Sequence, residues 1–307
     1  MAEPAARLWP CLALAATLAC PAEPAEPPPY GFGTEPEQCF RLEAEEPTEV
    51  DGAAVEIQRL AEFRLAVDAA SDARYELALL LGRYYLSVEG APGGSSELVI
   101  SNAGLLARGG PQGEMRVGPE EIGPGGASLR SLLARPIGGF IVDSSGVVAG
   151  TPWTSHDPLL GGVSVIHWLI LALPVLGPDP EVATWSGTRV LPKIGRYDFG
   201  VSIPLRYERI HSDEPPGSSR IRAVGTLERR DVEVAVGLEG DVRFDYRGET
   251  DLDARGQVSE SRAELRVRFD ATDGTDVSSR HQLRIRATEC PEASINPVTG
   301  QADTFEG

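Results

Sequence analysis

Lysine is almost missing from this chain of 307 residues: Lys193 is the only one, so nearly all of its 28 basic side chains are arginines. Cysteine, methionine and histidine are scarce as well, at 4, 2 and 4 residues. These shortages exclude the common zinc signatures, because there is no Cys-x-x-Cys and no pair of histidines four residues apart. No Gly-x-Ser-x-Gly occurs, which removes the nucleophile elbow of the α/β-hydrolases. The glycine-rich stretch Gly123-Pro124-Gly125-Gly126 has no lysine behind it and cannot serve as a phosphate loop. Acidic side chains outnumber basic ones, 46 to 28. A formal net charge of -18 opposes long-range attraction to nucleic acid and to anionic membrane surfaces.

Apolar residues make up 41% of the chain, enough to build a core. The 34 glycines and 25 prolines favour many turns and short connections. The chain starts with one basic residue, Arg7, followed by an apolar run from Leu8 to Ala19. That run has the length of a signal-peptide core and is too short for a stable membrane span. Thr17 and Ala19 are small residues at the positions read by a signal peptidase, so residues 1–19 are expected to be an export signal. The Pro/Glu-rich segment 20–38 reads as an extended, semi-rigid tether. Residues 39–290 read as a β-rich domain, either one unit or two similar halves meeting near residue 180. Residues 291–307 read as a disordered tail.

The segment Thr17-Leu18-Ala19-Cys20 resembles the lipobox of bacterial lipoproteins, with Thr17 standing where that family usually has leucine. The resemblance implies a lipid anchor on Cys20. Plain release at the same site is the alternative. Of the other cysteines, Cys11 lies inside the export signal. Cys39 and Cys290 stand near the two ends of the β-rich region. They read as a disulfide clamping those ends or as two separate thiols, and an oxidising compartment favours the bridge.

Period-two alternation dominates the second half. Val201, Ile203, Leu205 and Tyr207 form one apolar face, as do Val242, Phe244 and Tyr246, then Leu265, Val267 and Phe269, then Leu283 and Ile285. Alternation of this kind puts one set of side chains on one sheet face and the intervening Arg, Glu and Asp in water. Asp143-Ser144-Ser145-Gly146 and Thr272-Asp273-Gly274-Thr275 read as hairpin turns. The first half is less regular, and 109–126 reads as a loop. The expected fold is mainly β, an antiparallel curved sheet or partly open barrel with one apolar helix packed on it.

That helix is expected in a segment without charge between Asp157 and Asp179. Val163, Ile166, Trp168, Ile170 and Leu171 are its apolar residues. Gly161-Gly162, Pro174 and acidic flanks argue against a membrane span. His156-Asp157 follows a serine, but adjacent residues cannot form a catalytic triad among themselves. Asp270, Asp273 and Asp276 lack the spacing of a calcium loop and read as a solvated hairpin tip.

The order Leu173-Pro174-Val175-Leu176-Gly177-Pro178 through Val182 and Trp185, followed by long strands near Val201, resembles a group of uncharacterised secreted bacterial β proteins. A looser resemblance is to periplasmic lipoprotein carriers, which implies a curved sheet around an apolar cavity. The function expected from all this is an exported cell-envelope protein that binds an apolar ligand or a protein partner without catalysis. It would sit in the periplasm, on the outer membrane through a lipid, or outside the cell. A structural or adhesion-type surface domain and a hydrolase with a dispersed site are the alternatives. No metal, cofactor or nucleic acid is expected.

Overall fold

The computed structural model describes residues 37–50, 53–71, 74–90, 94–109, 113–143, 145–156, 165–173, 175–177, 181–190, 202–211, 217–235, 238–274 and 276–290. The expected export signal, Cys20, most of the tether, Val163, Asp157 and the tail lie outside these residues.

The first half supplies β1 (Glu37–Glu45), β2 (Thr48–Val50), β3 (Ala53–Ser71), β4 (Arg74–Glu89), β5 (Ser96–Ser101), β6 (Gly104–Gly109), β7 (Met115–Val117), α1 (Leu129–Leu133), β8 (Gly138–Asp143) and β9 (Val148–Thr154). Helix α2 (Val165–Ala172) follows. The second half supplies β10 (Thr184–Val190), β11 (Ser202–His211), β12 (Ser219–Ala235), β13 (Leu238–Leu252), β14 (Val258–Ala271) and β15 (Asp276–Thr288).

The protein is mainly β, and the strands form one antiparallel sheet. Its order is β10-β11-β12-β13-β14-β15-β1-β3-β4-β5-β6-β7, with β2 against β15 and β3, and β8 between β4 and β9. Most neighbours in space are neighbours in sequence, because short turns can join only antiparallel strands. The exceptions are β1 beside β3, β4 beside β8, β2 beside β15, and β15 beside β1, which seats Cys39 opposite Thr288. A disulfide joins Cys39 to Cys290 at a Cα separation of 5.0 Å.

Alternation gives β11, β13, β14 and β15 one buried face. In β14, Ala263, Leu265, Val267 and Phe269 are buried, while Arg262, Arg266 and Arg268 are exposed. The phase shifts where β14 loses register with β13 between Asp251 and Leu252. Ser259 is the extra residue there, and its hydroxyl donates to the Asp251 carbonyl at 3.1 Å. Turn chemistry follows the sequence. Gly274 takes φ +92 between β14 and β15, a conformation that costs a side-chain-bearing residue free energy.

The exposed face carries cross-strand ion pairs. Glu264 binds Arg280 at 3.0 Å, Glu260 binds Arg284 at 2.6 Å, and Asp251 binds Arg220 at 2.6 Å. Burial opposes ionisation of Glu260, but hydrogen bonds from Arg284 and Arg262 outweigh it and hold the carboxyl below its usual range. Such exposed pairs add little stability one by one and fix strand register collectively.

Two differences from the sequence reading stand out. The loop expected over 109–126 contains β7, which pairs with β6 through Leu105 and Val117. The described residues hold two short helices and not one. The second, α1, is capped by Ser128, whose Oγ accepts the Ser131 N–H at 3.3 Å.

Candidate functional site

Helix α2 has the sequence Val165-Ile166-His167-Trp168-Leu169-Ile170-Leu171-Ala172. Apart from His167, whose side chain is not among those described, every residue in it is buried. A helix that is apolar all round must be covered all round. It contacts β14, β15, β1 and β9. Among the described residues no helix is long and apolar enough to cross a membrane, a statement that does not extend to strands.

The C-terminal end of α2 exposes carbonyls that have no helical partner. The sheet supplies donors. The Arg189 guanidinium, on β10, donates to the Ile170 carbonyl at 2.6 Å and also to those of Leu171 and Leu173. Tyr246 on β13 donates to the Leu171 carbonyl at 2.9 Å, and Ser261 on β14 to that of Ala172 at 2.5 Å. Arg209 on β11 donates to the Leu176 carbonyl and stacks over Trp185 at 5.2 Å. A cation at a helix C-terminus also meets the negative end of the helix dipole. Arg189, Tyr246 and Ser261 were invisible as a set in the sequence, since each is one polar residue on an apolar sheet face.

A second buried polar cluster lies beside Trp168. The ring of His281 on β15 stacks on Trp168 with centroids 5.3 Å apart. Its Nδ1 faces the Glu46 carboxylate at 3.6 Å, and its Nε2 is 3.0 Å from the Ser279 hydroxyl. Arg59 on β3 pairs with Glu46 at 3.1 Å and lies over Trp168 at 5.7 Å. Glu46 is 5% exposed and His281 2%, whereas Ser279 is half-buried. Sequence reasoning missed this cluster because Glu46 and Ser279 are more than two hundred residues apart.

Burial pushes the Tyr84 hydroxyl up to about 12, with Arg59 pulling it down and Glu46 adding to the rise. Tyr246 and Tyr207 are also raised by burial, against the pull of Arg189. The native state therefore holds these protons above the unfolded tyrosine pKa of about 10. Stability is fully present below that pH and falls as pH rises toward about 12, because there the unfolded state binds fewer protons. Urea melts from pH 9 to 12, read beside tyrosinate absorbance, should show the loss of stability preceding native-state ionisation.

The other sequence-marked residues are scattered. His156 is exposed just beyond β9, and His211 is exposed at the end of β11. Asp270 stands opposite Asp276 in the β14–β15 register, and Arg268 lies 3.1 Å from the first and 3.8 Å from the second. Among the described residues no group of three His, Cys, Asp or Glu is arranged to hold a metal ion. Ile166, Trp168, Ile170 and Leu171 all lie in α2 and are buried.

No protein-family model matches the chain. No curated protein matches it either. Among solved structures, a lipovitellin described for its lipid–protein interactions is 10% identical, over 84% of this chain and 26% of that one, with a TM-score of 0.43. This chain therefore spans about a quarter of the lipovitellin chain. DynF of the dynemicin biosynthesis pathway of Micromonospora chersina is 9% identical, over 82% and 79% of the two chains, with a TM-score of 0.22. A DUF1329 family protein of Desulfovibrio piger is 7% identical, over 85% and 90%, with a TM-score of 0.19. At these scores the likenesses carry no argument about function.

Proposed function

We propose that the protein is an exported cell-envelope binding protein whose sheet curls around an apolar guest, with α2 in the guest position. Support for the curl comes from α2 itself. Nine pairing steps separate β10 from β8 in the sheet. Laid flat, those strands would stand about 40 Å apart at the usual inter-strand spacing. Yet Arg189 of β10 bonds one end of α2, and Gly138 of β8 abuts Ile166 near the other. An eight-residue helix is only about 12 Å long. The strands bend toward each other to meet it.

The observation that carries the binding reading is that this face already holds an apolar segment of the chain. Its side chains sit against the sheet, and the carbonyls at its end are satisfied by Arg189, Tyr246 and Ser261. An apolar ligand or a partner's apolar segment would enter by replacing α2, since α2 fills the space it occupies. The Cys39–Cys290 disulfide supports an oxidising compartment and hence export. A lipid on Cys20 would add an outer-membrane anchor.

A fluorescent fatty-acid analogue titrated into the disulfide-intact protein tests this. Saturable binding with a change in tryptophan emission is expected, since Trp168 lies in α2. Native mass spectrometry should also find an apolar molecule co-purifying from the envelope fraction. No saturable binding and no co-purified molecule would overturn the reading.

A further inference from the structure

Ser279, His281 and Glu46 meet in the order that nucleophilic catalysis needs. The two ring nitrogens of His281 face different partners: Nε2 the Ser279 hydroxyl at 3.0 Å, Nδ1 the Glu46 carboxylate at 3.6 Å. His281 Nδ1 makes no hydrogen bond at this distance; a carboxylate that closes on it sets the tautomer that leaves Nε2 free to take a proton from the hydroxyl. The 3.6 Å separation is long for a hydrogen bond. Catalytic contacts of this kind often tighten only when substrate is bound.

Neighbouring residues hold the three in place. Glu46 is fixed by the Arg59 ion pair and by its own N–H, which donates to the Ile57 carbonyl at 2.8 Å. Trp168 stacks on the imidazole and fixes its plane. Strand β15 puts Ser279 and His281 two residues apart, hence on one face. Burial then grades the three. Glu46 and His281 are shut away from water while Ser279 is half-buried, so Ser279 is the least shielded of the three. Strand β2 places Thr48 directly opposite Ser279, on the same face, so a second hydroxyl stands beside the first.

We propose that Ser279, His281 and Glu46 form a nucleophile, base and carboxylate array that hydrolyses small carboxylic esters. Small esters are the class that fits, because α2 lies over the neighbouring imidazole. Ser279 Oγ attacks the ester carbonyl carbon and its proton passes to His281 Nε2. The C–O bond to the alcohol breaks, and the alcohol leaves with that proton. Water then attacks the acyl-serine, giving its proton to His281. The carboxylic acid departs, and Ser279 recovers its proton from His281. Ester and water are consumed, acid and alcohol are produced, and the protein is unchanged. This activity goes beyond the binding reading and does not need α2 to move.

The full disulfide-bonded chain is treated with a fluorophosphonate probe and read by intact mass and peptide mapping. One label per chain on Ser279 is expected, with none on the Ser279→Ala variant. Hydrolysis of p-nitrophenyl acetate should fall by about 100-fold or more in Ser279→Ala and in His281→Gln. Glu46→Gln should lower the rate and leave the label on Ser279. Thermal melting of Ser279→Ala, a loss of one half-buried hydroxyl, checks that the fold persists. An unlabelled wild type, or a Ser279→Ala variant that labels and hydrolyses like wild type, overturns the proposal. Fatty-acid-analogue binding by the same wild-type preparation separates the two readings. Binding without labelling sinks only this one, and labelling without binding sinks only the other.

Discussion

Reducing the Cys39–Cys290 disulfide is expected to lower stability by about 5 kcal/mol, the loop-entropy value for a ring of this size. The two cysteines are 251 residues apart in sequence, so the bridge removes far more conformations from the unfolded chain than a short loop would. The native state loses little else, since β1 and β15 keep their seven register pairs. For a domain of this size the drop corresponds to roughly 10–20 °C in melting temperature. Calorimetry with and without reductant, and of a Cys39→Ser/Cys290→Ser variant, should give the same shift. An unchanged melting temperature would mean that the unfolded chain is already held compact without the bridge.

Replacing Arg189 by methionine is expected to cost about 3–5 kcal/mol, which is large for one residue near an edge strand. Methionine keeps most of the stem volume and removes every donor. Tyr246 would still serve the Leu171 carbonyl, but those of Ile170 and Leu173 would lose the guanidinium. Arg189 is 7% exposed, so water cannot replace it without opening the structure. The cation–π contact of Arg189 over Tyr246, at 5.7 Å, would go as well. Arg229→Met on exposed β12 is the control and should stay within about 0.5 kcal/mol. Urea melts followed by tryptophan emission measure both. Equal midpoints would show that Arg189 does not hold α2.

The long strands were legible because alternation is a local signal. Ile203, Leu205 and Tyr207 need only each other to mark a face, and Gly274 marks its own turn. Pairing across the chain is not local. Nothing in β1 announces that it lies between β15 and β3. Helix α2 stood out by its lack of charge, but α1 has five residues, too few for a helical period to show. Its cap, Ser128, was the available signal, hidden behind a glycine-rich stretch that suggested loop. The polar residues around α2 were unreadable for a different reason. Arg189, Ser261 and His281 break the apolar face of their strands one at a time, and only folding brings Glu46 to His281. Ser279 carries no contiguous signature, because the carboxylate of its array comes from Glu46 at the other end of the chain.

The closing pair of strands also sets how the molecule bears a load. β1 begins and β15 ends on the same side of the sheet, side by side and antiparallel, with the sulfur bridge at that end. A pull between Glu37 and Cys290 would unzip those strands one hydrogen bond at a time. With the bridge intact the tension crosses directly from Cys39 to Cys290, and the strands between them carry none of it. A protein tethered at its N-terminus and tugged from beyond Cys290 would stay folded until that covalent link was cut, which makes the bridge a mechanical fuse set by redox conditions.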